Sequence, residues 1–498
     1  MALLPVFLNV TSTVLHVLPS EKHSYTCQTL DFWPSEKCDY GNCSWVEMGL
    51  MDLDFEDELL NNATKMLGNE SLLRVGGTLC DHVEVDTADR STTWGSCTCP
   101  DPNDPTDPLC YFPWVGHGYP DGSFSGFGKA CLPGGRFDIL MDFAERNKKK
   151  LVFDLSAEFG RTLVGPTIWE GDWDSANARA LFEYIKNQGK EDLFYGFELG
   201  NEVWGVKTGD AHFTPENAAK DYALLRKELD EVFGPGRMKI LTLSGNWEYI
   251  FMTEFIEKYD GWDGVAWHWY PLGAGRSDEV IPNVNNENFT LTEIKERLEI
   301  VNLWQRQHGR DKELWMGETG GAFNSGQNTT TNRFMSHRWY LDQLGIFAQY
   351  KHDAYCRQTL IGGNYGLLQR TNGENSINPD FWGTVLFNSL MGEFVHDVLH
   401  SGDEKLHLYA HQNKKNETVL LAINFNRDEP IEIKNINGLF DLEVDIWKMS
   451  SPDDQSSVVF LNGNELPLTN TVDPTEMFVT KTLPVQIPAK SYAFIRFS

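Results

Sequence analysis

Two glutamates carry the clearest chemistry in this chain. Glu202 closes the segment GFELGNE and Glu318 stands in LWMGETGG, each at the end of an apolar run where a buried strand would reach a surface. Two carboxyls opposed across a cavity are what hydrolysis of a glycosidic bond requires, one protonating the leaving oxygen while the other attacks the sugar. Asn201 stands before the first of them. Between them in the chain, AWHWY puts His268 and Tyr270 on one side by period two, with Trp267 and Trp269 on the other. A tyrosine there would hydrogen-bond the nucleophile and hold it ionised, and the histidine would orient either partner. Asp31 and Thr78 close two earlier runs and are placed to meet sugar hydroxyls, whereas Arg357 and Gln358 read as interior hydrogen-bonding residues. No metal site is expected: there is no HExxH, and Cys97, Cys99 and Cys110 lack zinc-ligand partners at persuasive spacing. The chemistry needs no cofactor.

Such residues must be held by elements. Short, continuous apolar runs at 25–31, 72–78, 151–156, 194–200, 238–243, 264–268, 314–318 and 354–360 suit parallel strands covered on both faces. Helical periods fit between them near 136–147, 175–188, 249–258, 291–307, 332–349 and 379–391. The clearest helix starts at Thr214 with Pro215 in its first turn, and lines up Ala218, Tyr222, Leu225, Leu229 and Val232. Eight strand–helix repeats predict an α/β fold, a (β/α)8 TIM barrel over 21–398, with its chemistry at the C-terminal ends of the strands. The competing open, doubly wound sheet lacks a GxGxxG after its first strand. After residue 398 the period changes to two, with stretches at 406–411, 418–426, 441–448, 457–461 and 491–497. This predicts a β-sandwich over 399–498, which the alternating segment within 1–20 joins as an N-terminal strand. The stretch 85–131, rich in proline, aspartate and glycine, is too long for an ordinary connection and reads as a cap on the barrel mouth or a disordered insertion.

The 498 residues carry 42 lysines and arginines against 72 aspartates and glutamates, a net charge of −30 that argues against a nucleic-acid partner. At 41% hydrophobic and 12% aromatic the chain is not a disordered one, and it has no apolar run long enough for a transmembrane span. Eight of nine cysteines fall in the first 131 residues, which predicts disulfides there and leaves Cys356 as the expected lone buried thiol. Sequons at Asn9, Asn42, Asn62, Asn69, Asn288, Asn328 and Asn416 fit a secreted, extracellular or vacuolar-lysosomal protein, although the N-terminus does not read as a signal peptide.

The segments TLDFWPSEKCDYGNCSW, LRVGGTLCD, ELGNE, GETGGAFNSG, WYLDQLG and CRQTLIGGNYGLL closely resemble plant heparanase-like proteins of glycoside hydrolase family 79. The resemblance implies a retaining β-glucuronidase built as a barrel and a sandwich, with Glu202 as acid/base and Glu318 as nucleophile. It further implies that Tyr365 contacts the glucuronate carboxylate, that backbone amides at Asn324 and Ser325 help bind it, and that Asp31 and Thr78 face the sugar. This sequence departs from the pattern at Phe323, where relatives carry tyrosine, at Val203, and in the long cysteine-rich insertion. The expected substrate is a carbohydrate bearing β-linked glucuronate, cleaved by double displacement. The acidic balance, with no lysine–arginine cluster beside the motifs, points to exo-action, leaving Lys207 and Arg276 as candidates for a local basic patch. The alternatives are an endo-acting, heparanase-like enzyme on a glycosaminoglycan-like chain and a non-catalytic carbohydrate-binding member.

Overall fold

The computed structural model describes residues 4–33, 35, 37–38, 42–92, 130–165, 168–204, 213–309, 311–402 and 404–498. Residues 93–129 of the 85–131 insertion, with Cys97, Cys99 and Cys110, and the position of Lys207 therefore lie outside the described residues, and the role expected of the insertion with them.

Eight parallel strands close into a barrel: β1 Thr26–Asp31, β2 Ser71–Gly76, β3 Lys149–Leu155, β4 Phe194–Leu199, β5 Lys239–Asn246, β6 Gly264–His268, β7 Glu313–Thr319 and β8 Ala354–Arg357, with β8 pairing back onto β1. Side chains inside such a barrel stack in layers. The lower layer is apolar and packs Cys27, Leu72, Val152, Leu241, Ala266, Trp315 and Cys356 together. Two residues further along β2, β3 and β4 the same inward face carries Arg74, Asp154 and Glu198, all buried. The interior thus turns from apolar to charged as it approaches the mouth.

Cys27 and Cys356 face each other in register across the β1–β8 seam and form a disulfide. This corrects the expectation of a lone Cys356 thiol, because barrel closure makes neighbours of residues 329 positions apart. Cys38 pairs with Cys43, and the free thiols among the described residues are Cys80 and Cys131.

The helices surround the strands. Pro215–Phe233 starts as the sequence predicts, Thr214 and Asn217 forming a capping box that satisfies the first free amides, and its expected apolar face is buried. Glu58–Met66, between β1 and β2, was not foreseen: Asn61 and Thr64 on its buried face break the apolar period. β2 ends at Gly76 rather than 78, because Gly77 takes φ 93° and Thr78–His82 turns into a 3-10 helix. β8 ends at Arg357 rather than 360.

Beyond the barrel lies an eleven-stranded sheet that includes Phe394–His400, Leu406–Gln412, Thr418–Asn424, Ile431–Ile436, Glu443–Ser450 and Ser491–Phe497. The N-terminal strand Leu4–Val17 joins it, antiparallel to Phe394–His400 and parallel to Ile431–Ile436. The expected division between 398 and 399 falls inside Phe394–His400. Alternation decides what each strand buries. Leu406, Leu408, Ala410, Leu420 and Ala422 fill the sandwich core with Val6 and Leu8, while Tyr409, Val419, Leu421 and Ile423 face the barrel's own core. Tyr409 is pressed so closely on the helix Phe334–Gln349 that a Cβ at Gly345 would lie 2.2 Å from its ring. Its hydroxyl and His407 Nδ1 both reach Asp342 on that helix, at 2.6 and 2.7 Å.

Candidate active site

Arg74 organises the mouth. It is fully buried, and its guanidinium donates from Nε to Glu198 (2.8 Å), from Nη1 to Glu318 (2.7 Å), and from Nη2 to Asp154 (3.1 Å) and to the Asn201 side-chain oxygen (2.8 Å). A buried charge persists only when paired and hydrogen-bonded. Here one cation serves three carboxylates from β3, β4 and β7. Burial pushes the Asp154 carboxyl well above its ordinary range, more than Arg74 lowers it.

Glu318, on β7, receives donors on both oxygens. Arg74 occupies Oε2, and the Tyr270 hydroxyl donates to Oε1 at 2.5 Å. Burial and the neighbouring Glu318 charge hold the Tyr270 phenol well above its ordinary pKa, so it remains a donor. The carboxylate is held in one orientation by two donors.

Glu202 follows β4 in a tight turn. Gly200 takes φ 78° and Glu202 itself φ 58°, while the Glu202 amide donates to the Ser244 carbonyl of β5 at 2.5 Å. Its Oε1 lies 3.0 Å from His268 Nδ1. Burial drives the His268 pKa down to about 4, so the imidazole is neutral at and above mildly acid pH. A neutral imidazole donates from Nδ1 in one tautomer and accepts there in the other, so it matches either protonation state of Glu202. His268 Nδ1 also lies 3.9 Å from Glu318 Oε2, and one ligand atom from each of Glu202, His268 and Glu318 falls within 4.8 Å of the others. Among the described residues this is the one cluster with metal-ligating chemistry. Its geometry is already engaged: Nδ1 faces Glu202, and Arg74 supplies the cation that Glu318 needs.

Asp31, the last residue of β1, is buried and accepts from Gln358 Nε2 at 2.8 Å. Burial and the Glu318 charge push its carboxyl up to about 7, against the lowering effect of Arg74 and Gln358. Gln358 is thus the interior hydrogen-bonding residue that the sequence indicated. Arg357 pairs with buried Asp380 and donates to the Tyr365 carbonyl at 3.1 Å.

Tyr365 is buried 6.4 Å from the Tyr270 ring, centroid to centroid. Glycines surround it: a Cβ at Gly320, Gly326 or Gly363 would stand 2.6 to 2.9 Å from its ring. Asn324 and Ser325 both adopt positive φ, 57° and 64°, in the loop after β7, and Trp45 Nε1 donates to Ser325 Oγ at 2.8 Å. Phe323 is exposed, and Val203 is buried beneath the Glu202 turn. Thr78 is half-buried at the start of its 3-10 turn rather than at a strand end.

The structure therefore brings Asn201, Glu202, His268, Tyr270, Glu318 and Asp31 into one electrostatic cluster, with Tyr365, Asn324 and Ser325 beside it. Reading the residues missed Arg74, Asp154, Glu198, Asp81 and Trp45. The first three carried a signal, a charged residue in the middle of each of the runs LLRVGG, LVFDLS and GFELG.

Comparison with known proteins agrees with this geometry. Residues 7–100 and 117–345 match the model of the glycosyl hydrolase family 79 N-terminal domain. Heparanase-like protein 3 of Arabidopsis thaliana is 32% identical over 84% of this chain and 74% of its own length. Baicalin-beta-D-glucuronidase of Scutellaria baicalensis is 30% identical over 95% of this chain and 88% of its own. Among solved structures, an arabinofuranosidase shares the fold with a TM-score of 0.65 at 12% identity, covering 99% of this chain and 100% of that one. The barrel, its paired glutamates and these relatives together make the chain a glycoside hydrolase, and it belongs to glycosyl hydrolase family 79.

Proposed function

We propose that this enzyme is a retaining exo-β-D-glucuronidase. The observation that carries the reading is the close approach of the two glutamates, one oxygen of each lying within 4.8 Å of one oxygen of the other, with Glu318 bound by two donors and Glu202 by the neutral His268. Retaining glycosidases hold their two carboxyl groups about 5 to 5.5 Å apart, whereas inverting enzymes leave room for a water at about 6.5 to 9.5 Å. In the first step Glu318 attacks the anomeric carbon, and the glycosidic oxygen leaves with its bonding electron pair and the Glu202 proton. In the second, water deprotonated by Glu202 displaces Glu318 and releases the sugar with its configuration retained.

Glucuronate as the sugar rests on the baicalin-beta-D-glucuronidase relative and on the Tyr365 pocket, whose ring is fixed by three glycines beside the loop of Asn324 and Ser325. Asp31 and Thr78 take sugar hydroxyls in this reading, and Asn201 contacts the sugar from beside the acid/base. Exo-action is supported by the net charge of −30, which opposes the threading of a long polyanion. Passage through the secretory route is supported by the two disulfides and by exposed sequons at Asn9, Asn42, Asn69, Asn328 and Asn416.

The test is proton NMR of the first product formed from an aryl β-D-glucuronide. The β-anomer of free glucuronate is expected first; the α-anomer would indicate inversion. Oligosaccharides released from a glycosaminoglycan, with no turnover of the aryl glucuronide, would replace exo-action by the endo reading. Absence of any hydrolysis, with binding retained, would leave a carbohydrate-binding protein.

A further inference from the structure

Asp81 lies outside the two-glutamate chemistry, yet it is hydrogen-bonded to the residue immediately before one of those glutamates. It sits in the 3-10 turn after β2 and is buried. One carboxylate oxygen, Oδ1, accepts from the Ala157 amide at 2.8 Å, and the other, Oδ2, accepts from the Asn201 amide at 2.8 Å. A single side chain therefore ties the loop after β3 to the loop after β4, at the residue immediately preceding Glu202.

The packing around that tie leaves little slack. A Cβ at Gly200 would stand 2.5 Å from Val203 Cγ2, 2.7 Å from Ala157 Cβ and 3.2 Å from Asp81 Oδ1. The Asp81 carbonyl accepts from the Ser156 hydroxyl, which fastens the 3-10 turn to the same loop as Ala157. Asn201 is held twice, by Asp81 through its amide and by Arg74 through its side-chain oxygen. Glu202 follows at φ 58°, a conformation that a non-glycine residue keeps only when its surroundings fix it. Next to Asp81, Glu158 pairs with His82 at 3.0 Å and Cys80 Sγ lies 3.8 Å from Asp81 Oδ2, so the tie is embedded in a polar layer beneath the turn.

We propose that Asp81 is a positioning residue for the acid/base step: by accepting from two loop amides at once, its carboxylate sets the place of Glu202 without touching the sugar. The inference rests on Glu202 being the acid/base. Only a group with two acceptor oxygens makes both bonds. An asparagine of the same shape would turn an NH2 toward one of the two amides, and the Glu202 turn would relax.

A loss of acid/base placement has a signature that general loosening lacks. Protonation matters for a poor leaving group and hardly at all for a very acidic one, and azide can displace Glu318 from the anomeric carbon with no base to assist it. The experiment compares Asp81→Asn, Asp81→Ser and Glu202→Ala with wild type on phenyl and 2,4-dinitrophenyl β-D-glucuronide, with and without azide. Thermal unfolding and circular dichroism identify the folded variants, Asp81→Ser serving if the asparagine does not fold. The expected result is a loss in kcat/KM of about 10- to 100-fold on the phenyl substrate and less than about threefold on the dinitrophenyl one. On the dinitrophenyl substrate, where breakdown of the glycosyl-enzyme limits kcat, added azide should raise turnover and yield β-glucuronosyl azide. An equal loss on both substrates, or none on either, would overturn the role of Asp81 while Glu202→Ala still shows the leaving-group pattern. If Glu202→Ala itself lacks that pattern, the assignment of Glu202 fails, and the role of Asp81 with it.

Discussion

At the scale of single residues, the site is built around one buried cation. Arg74 reaches Glu318, Glu198 and Asp154 directly, and Tyr270 completes the grip on Glu318. Tyr270→Phe removes the 2.5 Å hydroxyl bond and leaves the ring, so kcat should fall about 10- to 100-fold, as expected for a hydrogen bond to a charged group, with little change in KM. Steady-state kinetics on an aryl glucuronide checks this. Asp31 gives a prediction of a different kind. Its folded carboxyl titrates near 7, above the ordinary carboxylate value, so the stability it contributes is full in acid and is lost as the pH rises through about 7. Asp31→Asn removes that dependence. Relative to wild type, the variant should gain stability in urea denaturation between pH 5 and pH 8, and a difference that does not change with pH would contradict the argument. The paired glutamates, His268 and Tyr270 were legible from strand ends and period two. Arg74 was not: its charge inside an apolar run acquires meaning only when the adjoining strands β3 and β4 are seen to bring Asp154 and Glu198 beside it.

At the scale of elements, all eight barrel strands were legible, their ends within three residues of those observed, since both faces of a parallel strand are covered and the run is continuous. Outside them the pattern weakened. The strands Phe394–His400 and Ile431–Ile436 were missed, the first because His396 and Asp397 interrupt it, the second although Glu432 and Lys434 alternate with its isoleucines as a strand's would. Nor does any local pattern show Cys27 facing Cys356, which follows only from β1 meeting β8. A Cβ at Gly320 would stand 2.6 Å from the Tyr365 ring, so Gly320→Ala should displace that tyrosine and lower kcat/KM on a glucuronide by about 10- to 100-fold. If Tyr365 serves the uronate carboxylate, the loss should shrink on the matching aryl β-D-glucoside. Equal losses on both substrates would detach Tyr365 from uronate recognition.

At the scale of the whole molecule, the sheet is a second layer bonded to the barrel rather than a loosely tethered appendage. Its inner strands alternate between their own core and the helix Phe334–Gln349, and Arg338 of that helix donates to Asp454, in the turn after the strand Glu443–Ser450, at 2.5 Å. The charge of −30 is a property of the same scale. With repulsion screened over about 8 Å at 0.15 M salt, the protein should pass through a heparin column unretained at that ionic strength. Strong retention would reveal a basic track and favour endo-action. The central claim is that Glu318 forms a bond to the sugar, and the most direct measurement is covalent trapping. Incubation with a 2-deoxy-2-fluoro-β-D-glucuronosyl fluoride, proteolysis and mass spectrometry should place one fluoroglucuronosyl adduct on the peptide containing Glu318, with activity lost in proportion. An adduct on another carboxylate, or none on an enzyme that still hydrolyses glucuronides, would contradict it.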